Sequence, residues 1–337
     1  VDYHTSDTIL SLEQLPKSMV IIGGGYIAAE YGHFFSAMGT NVAIIGRNPQ
    51  FIPQEEMEIS YLAKQKMKQH MKIVTNHEVV SVHPMHSGMK KVVARNRKTG
   101  TLESIETELI LVASGRATTT DILHPEKGGI EVDEKGWIKV DEHLRTSQPN
   151  VWAFGDATGK HLFKHVANYE SIIVYYNAFT ENKPTVDYNA VPSAVFSHPE
   201  IASVGMGEKE AIARYGEENI LIGFHRYEDT AKGMAMEAKD YFVKVIVEKE
   251  HETIVGAHII GPHASVLIQE IINLMYTPDR SIEPIQQGMH IHPALNEVVD
   301  RAFDSLMPVN QYHHMLKHQH WHPEFRRHQH EHDTETV

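Results

Sequence analysis

The apolar run Met19-Val20-Ile21-Ile22 passes directly into Gly23-Gly24-Gly25. Helical spacing then extends from Tyr26 to about Met38, Gly39 stops it, and a second apolar run follows at Val42–Ile45. Few folds accommodate that order. Two apolar strands joined through one helix form a βαβ unit, in which the strands lie parallel and the helix packs across them. The loop reads G-x-G-x-x-A, from Gly23 through Gly25 and Ile27 to Ala28. The first glycine permits the tight turn, and the next lets backbone N–H groups approach a pyrophosphate. The alanine keeps helix and strand close, and the helix N-terminus adds positive potential. In its full strand–turn–helix context the loop predicts a dinucleotide site.

The end of the second strand bears on which dinucleotide binds. An NAD site usually places a carboxylate about 20 residues after the loop to hold the ribose hydroxyls. This chain has Gly46-Arg47 there. Without the carboxylate a 2′-phosphate meets no repulsion, and a guanidinium can bind it through planar, charge-assisted hydrogen bonds. The expectation is NADP, with NAD as the alternative.

Further along, Glu55–Met71 has helical spacing, and β-rich runs occur at Val79–Val82, Lys91–Ala94 and Ile105–Val112. Ala113-Ser114-Gly115-Arg116 ends this region. A short apolar strand is expected at Val151–Phe154, ending in Gly155-Asp156, followed by a helix from about His165. Glycine permits close backbone approach there, and the carboxylate can accept hydrogen bonds from sugar-type hydroxyls or cap a helix. From Val191 strands near Ala194–Phe196, Leu221–Tyr227, Tyr241–Val247 and Ile254–Ile260 alternate with helices near Glu208–Tyr215, Ala264–Tyr276 and Ala294–Leu306, an α+β pattern. His292 precedes the last helix with Glu297 five residues on. A carboxylate so placed can orient an imidazole and stabilise its conjugate acid, which is the equipment of an acid–base dyad.

Composition narrows the function classes. The 337 residues carry 31 basic and 44 acidic side chains, a net charge of −13 that disfavours nucleic acid and anionic membranes. No apolar run reaches the roughly 18–20 residues of a membrane span. The N-terminus has no signal-peptide pattern. Cysteine is absent altogether, which suits a cytoplasmic location and leaves the chain without a sulfur nucleophile of its own.

Several segments together resemble one family. Gly23–Glu30, Ala113–Arg116, Phe154-Gly155-Asp156, Phe196–Ala202 and His292–Glu297 occur in the order found in class I pyridine nucleotide–disulfide oxidoreductases. These are FAD enzymes that include the mycothione reductases and dihydrolipoamide dehydrogenases. Lys164–Asn168 and Met234–Glu237 are most similar to the mycothione reductase branch. The resemblance implies an α/β fold: a Rossmann-like nicotinamide-binding domain at 17–116, the later half of an FAD-binding domain at 117–190 and a dimerisation domain at 191–308. Residues 1–16 would form a linker and 309–337 a histidine-rich tail.

The resemblance also implies roles. Gly23, Gly25 and Ile27 would line the pyridine nucleotide and Gly115 would border it. Tyr26 would gate the nicotinamide pocket, with Glu30 beside it. Gly155 would allow close approach where Asp156 holds the ribityl chain of FAD, and backbone amides around Lys164 and His165 would face the flavin. His292, oriented by Glu297, would act as acid–base across a homodimer interface on a low-molecular-weight or lipoyl disulfide. Hydride would pass from NADPH to FAD and electrons then to a cysteine pair. That pair, and the family's N-terminal flavin loop, have no counterpart here, so the chain alone is expected to be inactive. Ser114, Ala117-Thr118, Ala294 and Asn296 also depart from the family pattern. A catalytically incomplete nucleotide-binding or assembly subunit with the same fold is the alternative.

His313, His314, His318, His320, His322, His328, His330 and His332 crowd the C-terminus. No ordered carboxylate or thiolate set accompanies them, so a polar extension is expected rather than a defined metal site.

Overall fold

The structure, a computed structural model, describes residues 1–318. Its described residues form two compact units, one from residues 1–113 together with 194–318, the other from 114–193.

The first stretch contains β1 (Ser18–Ile22), α1 (Tyr26–Ala37), β2 (Asn41–Ile45), α2 (Met57–Met67), β3 (Lys72–Val74), β4 (His77–Pro84), β5 (Lys90–Asn96), β6 (Leu102–Thr107) and β7 (Leu109–Val112). A parallel sheet of order β3-β2-β1-β7 carries the glycine loop, and β4-β5-β6 form a separate antiparallel sheet. Val20, Ala43, Ile45 and Ile110 of the first sheet share one core with Val92 and Ala94 of the second. Burying both faces explains why β1, β2 and β7 are continuous apolar runs.

The run Ile105–Val112, expected as one strand, is two strands in different sheets. The break falls at Glu108, whose carboxylate accepts the Lys17 N–H at 2.7 Å, while the buried Thr107 hydroxyl donates to the Leu109 carbonyl at 3.0 Å. Residues 1–16, expected as a linker, pair with the sheet at one point, where His4 bridges in parallel to Leu111, and Ile9 is buried.

Residues 114–193 hold one long helix, α3 (Lys164–Phe179), with short 3-10 turns before it. The strand expected at Val151–Phe154 does not form. Trp152 makes a single antiparallel bridge to Arg145, flanked by the Thr146 N–H to Val151 O and Ala153 N–H to Leu144 O bonds, and the pairing extends no further.

The remaining stretch contains β8 (Pro192–Val195), β9 (Ile201–Gly205), α4 (Glu208–Tyr215), β10 (Ile220–Arg226), α5 (Ala231–Ala235), β11 (Phe242–Glu248), β12 (Thr253–Ile260), α6 (Ala264–Met275), α7 (Glu283–Gln287), α8 (Glu297–Asp304), β13 (Met307–Pro308) and α9 (Val309–His318). Its sheet runs β13-β10-β11-β12-β9-β8. Central β11 is buried along its whole length. Residues 309–318, read from composition as the start of a polar tail, form α9 instead. Val309, Tyr312 and Leu316 recur at helical spacing and are buried. His320, His322, His328, His330 and His332 lie outside the described residues.

Candidate functional site

The glycine loop has the geometry its residues predict. Gly23 leaves β1 at φ +142°, a backbone conformation that side chains disfavour, and its N–H donates to Ile45 O at 2.9 Å. A side chain on Gly24 would begin 3.2 Å from the Cα of Gly46, so the loops after β1 and β2 touch backbone to backbone. Gly25 caps α1 without a side chain, and the first turn carries no acid. The leading N–H groups of α1 therefore have no side-chain cap, an arrangement that suits an anion. Ala28 is fully buried and Ile27 half-buried.

Tyr26 and Glu30 lie one turn apart on α1. The Tyr26 hydroxyl donates to Glu55 Oε1 at 2.9 Å, and Glu55 Oε2 accepts from the Ser203 hydroxyl. Glu30 Oε1 accepts the Phe196 N–H at 2.9 Å, which fixes the start of the Phe196-Ser197-His198-Pro199 segment. Glu55 escaped the sequence reading. Its signal was an acidic residue ahead of α2 that turns out buried. Arg47 lies exposed at the end of β2.

The dyad residues come together. His292 Nδ1 lies 2.9 Å from Glu297 Oε1, and Glu297 Oε2 accepts the Ala294 N–H at 3.2 Å. The carboxylate is the first residue of α8, where a negative charge faces the helix dipole favourably. The hydrogen bond from His292, with the Ala294 N–H and the nearby charges, holds the Glu297 carboxyl below its ordinary pKa. Glu297 is nearly enclosed while the His292 ring is 65 % exposed, so the ring is anchored through Nδ1 and presents its other edge outward. Two residues earlier, His290 lies between Glu270 (3.1 Å) and Asp300 (3.5 Å), pinning the segment to α6 and α8.

The other expected contacts lie in the second unit. Gly115 adopts φ +135°. Gly155, at φ +64°, stands so close to α3 that a Cβ would lie 3.0 Å from that of Ala167, and its N–H donates to the buried Glu170 carboxylate at 2.5 Å. Asp156 pairs with Arg116 yet stays half-exposed. Lys164 bonds Asn168, His165 Nε2 lies 2.9 Å from Pro192 O, and the N-terminus of α3 has no side-chain cap. A half-exposed carboxylate beside an uncapped helix start suits a polyhydroxyl chain and an electron-rich ring system.

A buried cluster also went unread. Lys244, fully enclosed in β11, donates to Glu56 (2.6 Å), Glu58 (3.1 Å) and Glu208 (2.7 Å). Tyr312 of α9 donates to Glu58 at 2.9 Å, and His313 lies 2.6 Å from Glu208. Burial disfavours a charged lysine, but the surrounding carboxylates outweigh it and hold the ammonium charged. A single lysine inside the run Phe242-Val243-Lys244-Val245-Ile246-Val247 was the available signal.

This constellation defines a class. The chain belongs to the pyridine nucleotide–disulphide oxidoreductase family: that family's model matches residues 1–181, and its dimerisation domain matches 191–303. The family is FAD-dependent and uses a nicotinamide nucleotide. The chain is 38 % identical over 307 residues to mycothione reductase of Mycobacterium tuberculosis, spanning 90 % of this chain and 65 % of that protein. It is 35 % identical over 296 residues to dihydrolipoyl dehydrogenase of Geobacillus stearothermophilus, covering 87 % and 61 % of the two. Among solved structures it is similar to the Cu(II) complex of the HOCl-induced flavoprotein disulfide reductase RclA from Escherichia coli. The TM-score there is 0.80 at 26 % identity, over 90 % of this chain and 67 % of that one. The chain thus spans less than two thirds of the length of these mycothione and dihydrolipoyl relatives. No helix among the described residues is long and apolar enough to cross a membrane.

Proposed function

We propose that this chain supplies the nicotinamide-binding, partial flavin-binding and interface parts of a cytoplasmic, NADPH-dependent flavin disulfide reductase. The observation that carries this reading is the dyad: an imidazole fixed at Nδ1 by an enclosed carboxylate 2.9 Å away, with its opposite edge outward. That arrangement holds a proton at Nε2 for a thiolate leaving a disulfide, and His292 is the group that donates it and takes it back. Bound FAD supplies the two-electron relay between nicotinamide and sulfur. Asp156 and the backbone at Lys164 and His165 are the residues that would hold it, with Gly155 keeping α3 close. Gly23, Gly25 and Ile27 bind the nicotinamide nucleotide, with Gly115 bordering it. Tyr26 gates its ring beside Glu30, and Arg47 selects the 2′-phosphate.

The reactive sulfur pair must come from elsewhere, because the chain has no cysteine. The proposed assembly is a homodimer through residues 191–308, in which His292 serves sulfur bound to the opposite copy. The substrate is a low-molecular-weight or lipoyl disulfide. The lack of cysteine also favours a second reading, an assembly or nucleotide-binding subunit that performs no reduction. One experiment separates the two. The purified chain is mixed with a separately produced polypeptide carrying a flavin loop and cysteine pair from a mycothione reductase. Flavin uptake and NADPH-dependent disulfide reduction that is lost in His292→Gln support the reductase. Flavin uptake with no reduction leaves the subunit reading, and turnover by the chain alone overturns the proposed dependence on outside sulfur.

A further inference from the structure

The loop after β2 is joined by a residue fifty positions away in sequence. Arg97 Nη1 donates to the backbone carbonyl of Arg47 at 3.1 Å. The contact is held on both sides. The Arg97 N–H donates to Asn76 O at 2.9 Å, the Asn76 N–H to Asn48 O at 2.7 Å, and the His77 N–H to Gly46 O at 3.0 Å. Residues 46–48 are thus laced to the β3–β4 junction and, through it, to the turn that carries Arg97. That turn is itself stiff: Asn96 Oδ1 accepts the N–H groups of Lys98 (2.9 Å) and Thr99 (3.0 Å), and Gly100 N–H donates to Asn96 O at 2.8 Å.

Both guanidinium groups are exposed, and among the described residues neither is paired with a carboxylate. One bond to a carbonyl uses a single donor of Arg97, and a guanidinium carries five in a fixed fork. The remaining donors stand beside the position where a dinucleotide fold meets the adenosine ribose. In a chain of net charge −13, two exposed arginines, the guanidinium of one bonded to the backbone carbonyl of the other, form a local site for an anion.

We propose that Arg97 is a second determinant of nucleotide specificity, acting with Arg47 as a two-arginine clamp on the 2′-phosphate of NADPH. This rests on the reading that the loop binds NADP. The clamp differs from a single surface arginine because its second member is fixed in place before the ligand arrives, which lowers the ordering cost of binding. Lysine cannot replace it fully, since a point charge lacks the fork.

The test uses fragments that isolate the subsite from nicotinamide and flavin: adenosine 2′,5′-bisphosphate and 5′-AMP, titrated calorimetrically into the purified chain. Wild type is expected to prefer the bisphosphate. Arg97→Ala should weaken bisphosphate binding about tenfold and leave 5′-AMP unchanged. Arg97→Lys should restore part of the loss. Arg95→Ala, an exposed arginine near the end of β5 two residues before Arg97, should change neither. A wild-type preference that survives intact in Arg97→Ala overturns the clamp while leaving Arg47 as sole selector. An equal loss in Arg95→Ala overturns it in favour of unspecific charge. Wild type without any preference overturns the NADP reading itself, and the clamp with it.

Discussion

At the scale of single residues, the dyad and the glycine loop were the most legible features, and for a common reason. Each depends on spacing along one continuous segment, which the sequence states directly. His292 and Glu297 flank a helix start, and a five-residue separation there brings Nδ1 to 2.9 Å from the carboxylate. Glu55 was illegible because its partners, Tyr26 and Ser203, are remote in sequence. The dyad carries its own prediction. Glu297→Gln removes the charge that holds the imidazole. In a reconstituted or full-length form, disulfide turnover should fall by about a hundredfold, while nicotinamide nucleotide affinity measured on the same preparation stays unchanged. Retained turnover would make Glu297 a helix-start residue and nothing more.

At the scale of elements, periodicity located most strands and helices but not their partners. Ile105–Val112 reads as one strand since nothing in it marks Glu108 as the passage from one sheet to another, and Val151–Phe154 reads as a strand because apolar character says nothing about a neighbour. In the opposite direction, histidine-rich composition concealed α9. Tyr312 and His313 tie that helix to Glu58 and Glu208, and the tie should depend on pH. Burial raises the Glu208 carboxyl, but hydrogen bonds and charge from His313 and Lys244 prevail and bring it down to about 2 from 4.5. The hydrogen bond to Glu208, opposed by burial, raises His313 above 6.5. A raised histidine stabilises fully below its unfolded value and is lost as pH rises through the folded one. A depressed carboxyl stabilises above its unfolded value and is lost as pH falls through the folded one. The bond is therefore at full strength between pH 4.5 and 6.5. The gap in thermal midpoint between wild type and His313→Ala should be widest there and narrow on the alkaline side. A gap independent of pH up to 9 would show that α9 is held by its apolar face alone.

At the scale of the molecule, the sequence motifs gave the family and the order of its parts, while assembly depends on surfaces that no motif describes. Met289 is wholly exposed and Ile291 is 75 % exposed, on the segment that ends at His292. Large exposed apolar side chains call for a cover, and the proposed homodimer provides one. The double variant Met289→Asp, Ile291→Lys should sediment as a monomer at concentrations where wild type is a dimer, with nucleotide affinity preserved. A dimeric variant would place the interface elsewhere. α3 presents a comparable face, with Ile172, Tyr175 and Phe179 exposed along it.

The Lys244 cluster has a consequence for how such a chain is made. Glu58 and Tyr312 meet there although 254 residues separate them. At a synthesis rate of about 5–20 residues per second, that separation is a wait of roughly 10–50 s on the ribosome. The ammonium of Lys244 follows Glu58 by 186 residues and the phenol of Tyr312 by 254, so the acidic corner at Glu58 meets its partners one after the other. The joint closes only once α9 has emerged, so contacts of α2 are completed by residues synthesised far later.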